Sequence, residues 1–226
     1  MQWEFIDVNF IHLLLIMVFN SINQIIADKL LQINAINLNV SQPYIWASGI
    51  ISPIYCDNRL SLSYPEIRSL ICQSFAELAA EIPFDTIAGV ATGGIAHGVL
   101  LAQALNKPFV YVRSVAKGHG LKNAVEGKLD PGDHVLVVED LVSTGGSSLQ
   151  AVDALREAGA TVTDMLAIVT YGFSKAIDAF KNSAVQLQTL TDYTAIVKQA
   201  IDTGRISADM EQSLAAWRSD PEAWNK

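Results

Sequence analysis

Two adjacent carboxylates, Glu139 and Asp140, follow the apolar run Val135 to Val138 and precede Leu141, Val142, Ser143, Thr144, Gly145, Gly146 and Ser147. Carboxylates accept hydrogen bonds from hydroxyls, and a glycine-rich turn leaves backbone N–H groups open to an anion. If a helix starts at this turn, its first N–H groups lack intrahelical partners, and its dipole favours a dianion there by roughly 0.3–2 kcal/mol. The lysine of a Walker A loop is missing and no GxGxxG follows a strand, which disfavours nucleotide hydrolysis and dinucleotide binding. The pattern suits a phosphorylated sugar, its vicinal hydroxyls on the acids and its 5-phosphate in the turn.

Three further segments could serve such a site. "GVATGGIAHG", Gly89 to Gly98, again joins a strand to a helix, with Thr92, Gly93 and Gly94 exposing backbone donors; His97 reads as a packed or helix-surface histidine. "VRSVAKGHGLKNAVEG", Val112 to Gly127, anchors Arg113 at a strand end and then places Lys117, His119 and Lys122 among glycines and small residues. A mobile basic loop of this kind can cover a departing anion and exclude water. "WASGIISPIYCDNRLSLSYP", Trp46 to Pro65, carries alternating apolar residues and prolines, the pattern of short strands and turns.

These segments need strands to aim them. Spacing predicts an amphipathic helix over 22–31 and another over 66–80. From residue 84 strands and helices alternate: strands at 84–90, 108–113, 134–139, 161–170 and 185–189, helices at 95–105, 147–158 and 174–181, and a polar loop over 114–134. Repeated β-α units imply an α/β fold with a parallel sheet flanked by helices, whose ligands lie at the carboxyl ends of the strands.

Composition narrows the partners. Of 226 residues half are hydrophobic, enough for a substantial core. With 15 Lys and Arg against 23 Asp and Glu the net charge is -8, which argues against a broad nucleic-acid surface. The two cysteines, Cys56 and Cys72, form no zinc or disulfide pattern and fit a reducing cytoplasm. The apolar stretch Phe10 to Phe19 is only ten residues long, too short to span a bilayer, and acids precede it where a signal peptide wants positive charge. Residues 1–21 therefore read as an extra leader of unclear role, with Met17 as an alternative start.

The run from Val135 to Ser148 resembles the PRPP-binding motif of type I phosphoribosyltransferases. "RSVAKGH" resembles the catalytic loop of the orotate phosphoribosyltransferases, and "SPIYCDNR" the amino-terminal hood of their bacterial branch. The resemblance covers about residues 22–217 and implies a type I phosphoribosyltransferase-like sheet, with a hood over 22–65 and an α/β core with C-terminal helices over 66–226. It implies transfer of the phosphoribosyl group of PRPP to orotate in de novo pyrimidine biosynthesis, giving orotidine 5'-monophosphate and pyrophosphate. By the same resemblance Lys117, Asp140 and Glu139 are catalytic. Arg113, Lys117, His119, residues 139–147 and Thr92, Gly93 and Gly94 bind PRPP, the last three at its pyrophosphate. Ser143, Ser52, Tyr55 and Cys56 face orotate. Mg²⁺ is held mainly through PRPP and water, with Asp140 as a candidate ligand. A homodimer is implied, in which the 114–127 loop acts on the neighbouring subunit.

One departure stands out: the family usually has a lysine where this chain has Ile51, and either Arg59 or another cation takes its place or turnover suffers. The alternatives are a phosphoribosyltransferase for another base, which would not need the Arg113 to His119 loop in this form, and a PRPP-binding regulator that has lost chemistry. A regulator would ordinarily add a basic DNA-binding domain, which the acidic balance does not supply.

Overall fold

The structure is a computed structural model and describes residues 22–46, 48–113 and 124–224. The leader and the loop residues Lys117, His119 and Lys122 lie outside the described residues.

The chain opens with helix α1 (22–32), which buries Ile26 and Leu30 but leaves Ile25 exposed. Short strands follow: β1 (Ile36–Leu38), β2 (Tyr44–Ile45), β3 (Ile51–Ser52) and β4 (Ile54–Cys56). They pair antiparallel, β1 with β4 and β2 with β3. A 3-10 helix (Asn58–Ser63) leads to α2 (Pro65–Ala79). Pro65 occupies the first turn, where a missing N–H costs nothing and the fixed φ is already helical.

The core then runs β5 (Thr86–Val90), α3 (Gly93–Leu105), β6 (Phe109–Val112), β7 (Val125–Glu126), β8 (His134–Val142), α4 (Gly146–Glu157), β9 (Thr161–Thr170), α5 (Ser174–Asn182) and β10 (Gln186–Asp192). Two terminal helices, α6 (Tyr193–Asp202) and α7 (Glu211–Ser219), complete the described chain. The six-stranded sheet has the order β10-β9-β8-β5-β6-β7, parallel except for the β6–β7 pair.

The apolar run of β8 shows why this strand sits centrally. Leu136 and Val138 join the core on one face, with residues of the 22–65 segment and the C-terminal helices, while Val135 and Val137 join the core on the other, with α4. A strand buried on both faces needs no polar alternation.

The strand also runs further than its apolar residues: Glu139 to Val142 remain paired with β9, Glu139 opposite Ala167 and Val142 opposite Thr170. The expected strand end at Glu139 is thus moved three residues along, because the ladder to β9 continues beneath the acids. The expected polar loop over 114–134 likewise contains β7, which pairs with Tyr111 and Val112 and closes the base of the loop.

Residues 22–65 are not a separate unit in packing. Ile26, Leu30, Ile36 and Ile54 share one hydrophobic cluster with Ile87, Leu136, Leu166 and Trp217. The Trp217 indole N–H donates to the Ile51 carbonyl at 3.0 Å, and the Trp46 indole N–H to the Ile54 carbonyl at 3.2 Å. Trp46 stacks on Tyr171 at 5.4 Å between ring centroids, and Trp217 meets Tyr171 edge-on at 5.8 Å.

Candidate active site

Parallel strands bring their carboxyl ends to one edge of the sheet. Val90 pairs with Val112, Gly89 with Val138 and Val142 with Thr170. The segments that follow these strands, 91–94, 143–147 and 171–174, with Arg113 after β6, therefore emerge side by side.

The turn after β8 enters α4 through Gly145, whose φ of +81° is left-handed and readily open only to glycine. Its α-carbon faces α5: a Cβ there would lie 3.0 Å from the Phe180 ring. Gly146, one residue on, faces open space, with nothing within 4 Å of where its Cβ would stand. The turn thus leaves its backbone uncovered on one side and is braced from behind on the other. Ser143 and Thr144 are half-buried and Ser147 is exposed, so their hydroxyls border the same opening.

The two acids differ. Asp140 is half-buried, and its backbone is fixed on both sides: its carbonyl accepts from Asn58 Nδ2 at 2.7 Å, and its N–H donates to Glu139 Oε1 at 3.0 Å. Glu139 is 5 % exposed, and its second oxygen accepts from Ser148 Oγ at 3.2 Å. Burial, reinforced by the Asp140 carboxylate beside it, pushes the Glu139 carboxyl well above the usual carboxylate range, so it carries a proton near neutrality. Asp140 alone of the pair is presented toward the opening.

The second loop meets the first through glycines. A Cβ on Gly93 would stand 2.1 Å from Asp140 Cγ, and one on Gly94 would stand 2.3 Å from the Val138 carbonyl oxygen. Only hydrogen at these positions lets α3 begin against the end of β8. The Ala91–Thr92 peptide is cis.

His97, one turn further along α3, is 1 % exposed, and burial pushes it down to about 4 although Asp140 acts in the opposite sense. Its Nε2 lies 3.4 Å from Ser61 Oγ, and its Nδ1 has no hydrogen-bond partner. Ser61 already donates to the Asn58 carbonyl at 2.6 Å, so the histidine is the donor and its bare nitrogen is Nδ1. His97 is the packed histidine expected of it.

Arg113 pairs with Glu126 at 2.8 Å, and its N–H donates to the Ala124 carbonyl at 2.9 Å, so both ends of the basic loop are tied together. Across β3 and β4, Tyr55 is exposed while Ser52 is fully buried, its hydroxyl donating to the Ile54 carbonyl at 2.8 Å. Cys56 donates to Asn58 Oδ1 at 3.3 Å, and burial with the nearby Asp140 and Asp57 carboxylates pushes its thiol up, away from reactivity. Arg59 is engaged bidentately by Asp57 at 2.6 and 2.9 Å. Asn58 and Ser148, which fix the two acids, carry no signal in the sequence: one is an asparagine in a turn-rich stretch, the other a serine in a helix's first turn.

Residues 59–199 match the family described as phosphoribosyl transferase domain, which sets the class of the fold. The orotate phosphoribosyltransferase of Porphyromonas gingivalis is 50% identical over 206 residues, 90% of this chain and 98% of that protein. The one from Bacteroides fragilis (strain ATCC 25285) is 52% identical over 206 residues, 90% of this chain and 97% of its own length. The crystal structure of orotate phosphoribosyltransferase from Aeropyrum pernix superposes with a TM-score of 0.70 at 30% identity, covering 80% of this chain and 99% of its own. The chain belongs to the orotate phosphoribosyltransferases, a family of pentosyltransferases.

Proposed function

We propose that the protein transfers the phosphoribosyl group of PRPP to N1 of orotate, giving orotidine 5'-monophosphate and pyrophosphate. The observation that supports the reading is the close approach of Gly93 to the Asp140 side chain, which brings the 91–94 loop against the carboxylate that leads into the 143–147 turn. A ribose whose 5-phosphate lies in the 143–147 turn has its hydroxyls at Asp140 and its pyrophosphate toward Thr92, Gly93 and Gly94.

As the bond from the anomeric carbon to pyrophosphate breaks and the bond to N1 forms, positive charge develops on the ribose and negative charge on the leaving group. Preorganised charges answer both, so catalysis here is positional and electrostatic. Asp140 holds the ribose hydroxyls beside the cationic centre. Glu139, protonated and braced by Ser148, positions Asp140 through its backbone N–H. Lys117 and His119, with Arg113 at the loop's base, neutralise the leaving pyrophosphate. Ser143, Tyr55 and the hood backbone near Ser52 and Cys56 border the pyrimidine.

The residues present suit Mg²⁺ bound through substrate. Among the described residues no group of three or more His, Cys, Asp and Glu is arranged to hold a metal ion, and Asp140 is a single carboxylate at the opening. Mg²⁺ keeps several waters and commonly uses one or two carboxylates plus substrate phosphates, and when bound it supplies charge neutralisation on pyrophosphate. We also read residues 22–65 as a hood over the 66–226 core and the active unit as a homodimer whose basic loops reach across. Two free cysteines fit the cytoplasm, and among the described residues no helix is long and apolar enough to cross a membrane.

The test is loss of orotate absorbance when purified protein meets orotate, PRPP and Mg²⁺, with adenine, hypoxanthine and uracil as parallel substrates. Consumption of orotate alone supports the reading. Consumption of another base in its place, or PRPP binding with no turnover of any base, overturns it in favour of a different transferase or a regulator.

A further inference from the structure

A cavity of about 540 Å³ opens between the phosphate turn and the hood. Thr144 forms one wall, Gly49 and Ile51 another, Lys175 at the start of α5 a third, and Glu222 and Trp224 a fourth, so the cavity holds one cation and one carboxylate. A neighbouring recess of about 160 Å³ again joins Thr144 to Lys175 and adds Arg218.

The two cations differ in commitment. Arg218 spends its guanidinium on the Tyr171 carbonyl at 3.2 Å, the Gly172 carbonyl at 3.5 Å and Thr194 Oγ1 at 3.1 Å. Lys175 is exposed, and among the described residues it has no ion-pair or hydrogen-bond partner. Arg59, the hood cation expected to stand in for a lysine at position 51, is held by Asp57 and does not line the cavity.

Placement ties Lys175 to the turn. The Tyr171 N–H donates to the Val142 carbonyl at 3.2 Å, so the segment entering α5 starts beside the end of β8. Behind the turn, a Cβ on Gly145 would lie 3.9 Å from the Ala176 α-carbon, the residue after Lys175. Lys175 and Thr144 line the same cavity, and a lysine on its four-carbon stem meets a phosphate as a point charge.

We infer that Lys175 is a substrate-binding residue whose ammonium pairs with the 5-phosphate of the ribose, supplying from α5 the charge that Ile51 does not supply from the hood. The inference rests on the proposed PRPP site but not on which base is used.

The experiment compares wild type, Lys175→Ala and Lys175→Arg by calorimetric titration with PRPP and by steady-state kinetics with PRPP and orotate varied in turn. Lys175→Ala should weaken PRPP binding and raise its KM by about tenfold, the scale of one charge-assisted hydrogen bond. The kcat and the KM for orotate should stay within about twofold, since the contact is made equally in ground and transition states. Arginine should restore most of the PRPP affinity. Unchanged PRPP affinity in Lys175→Ala, or a rise confined to the KM for orotate, overturns the inference. If wild type binds PRPP but consumes no orotate, the assignment of the base fails while the titration still decides on Lys175.

Discussion

Gly93 lies so close to Asp140 that a single added carbon would stand 2.3 Å from each carboxylate oxygen. The start of α3 is the wall against which the Asp140 carboxylate rests. A methyl group at position 93 must therefore displace Asp140 or α3, and misplacing a catalytic group by about 1 Å costs on the order of 10² in rate. Gly93→Ala should lose about that factor in kcat/KM. Thermal melting run alongside should show a folded protein, destabilised by about 1–3 kcal/mol from overpacking. Wild-type kinetics in a folded Gly93→Ala protein would show that the start of α3 does not set the working position of Asp140.

The two acids should respond differently to loss of charge. Asp140→Asn removes the presented carboxylate and should weaken PRPP binding, which calorimetry reads directly. Glu139→Gln replaces a buried, protonated side chain by a neutral one of the same shape and should keep kcat/KM within about tenfold. Stability should carry the signature. The folded protein keeps Glu139 protonated above its ordinary value of 4.5, while the unfolded chain ionises there, so Glu139 lowers stability as pH rises beyond 4.5. Relative to wild type, Glu139→Gln should gain melting temperature at pH 8 and gain little at pH 4.5. An equal effect at both pH values would show that Glu139 is ionised in the fold.

His97 gives the opposite slope. Between its ordinary 6.5 and the folded value of about 4, the unfolded chain binds a proton that the buried ring refuses. Stability therefore falls with acid through that window and is unaffected by His97 above it. At pH 5 this costs about 2 kcal/mol, from 1.36 kcal/mol per unit. Urea unfolding of wild type and His97→Gln at pH 7.5 and pH 5 should show the variant losing less on acidification. A variant that loses as much as wild type would mean that the ring takes up its proton while folded.

Lys117→Ala should lose about 10²–10³ in kcat, the usual effect of deleting a preorganised donor to developing charge. The fold should persist, because the loop's base is closed by β7 and by the Arg113 N–H to Ala124 bond, and neither involves Lys117. Steady-state rates at saturating PRPP check this, and an unchanged kcat would take Lys117 out of the reaction.

The sequence made the frame and the phosphate turn readable, because each rests on local chemistry: β-branched runs bury both faces of a strand, and Gly145 tolerates a left-handed φ. What it hid depends on contacts distant along the chain. Glu139 and Asp140 look equivalent as neighbours, yet strand alternation turns one inward to Ser148 and leaves the other at the opening. Asn58 reaches Asp140 across 82 positions, which no local pattern records. Lys175 sits in an ordinary helical start, and only the packing of α5 behind the turn puts it in one cavity with Thr144. The hood serine is the converse case: a motif residue whose hydroxyl is spent on its own loop.

The bond from Trp217 to Ile51 joins positions 166 residues apart. During synthesis Trp217 is added after Ile51 and after the turns at 91–94 and 143–147, so the indole that fastens the Ile51 carbonyl arrives only once both turns have been made. A nascent chain stalled before α7 has both glycine-rich turns without the indole that holds Ile51 in place.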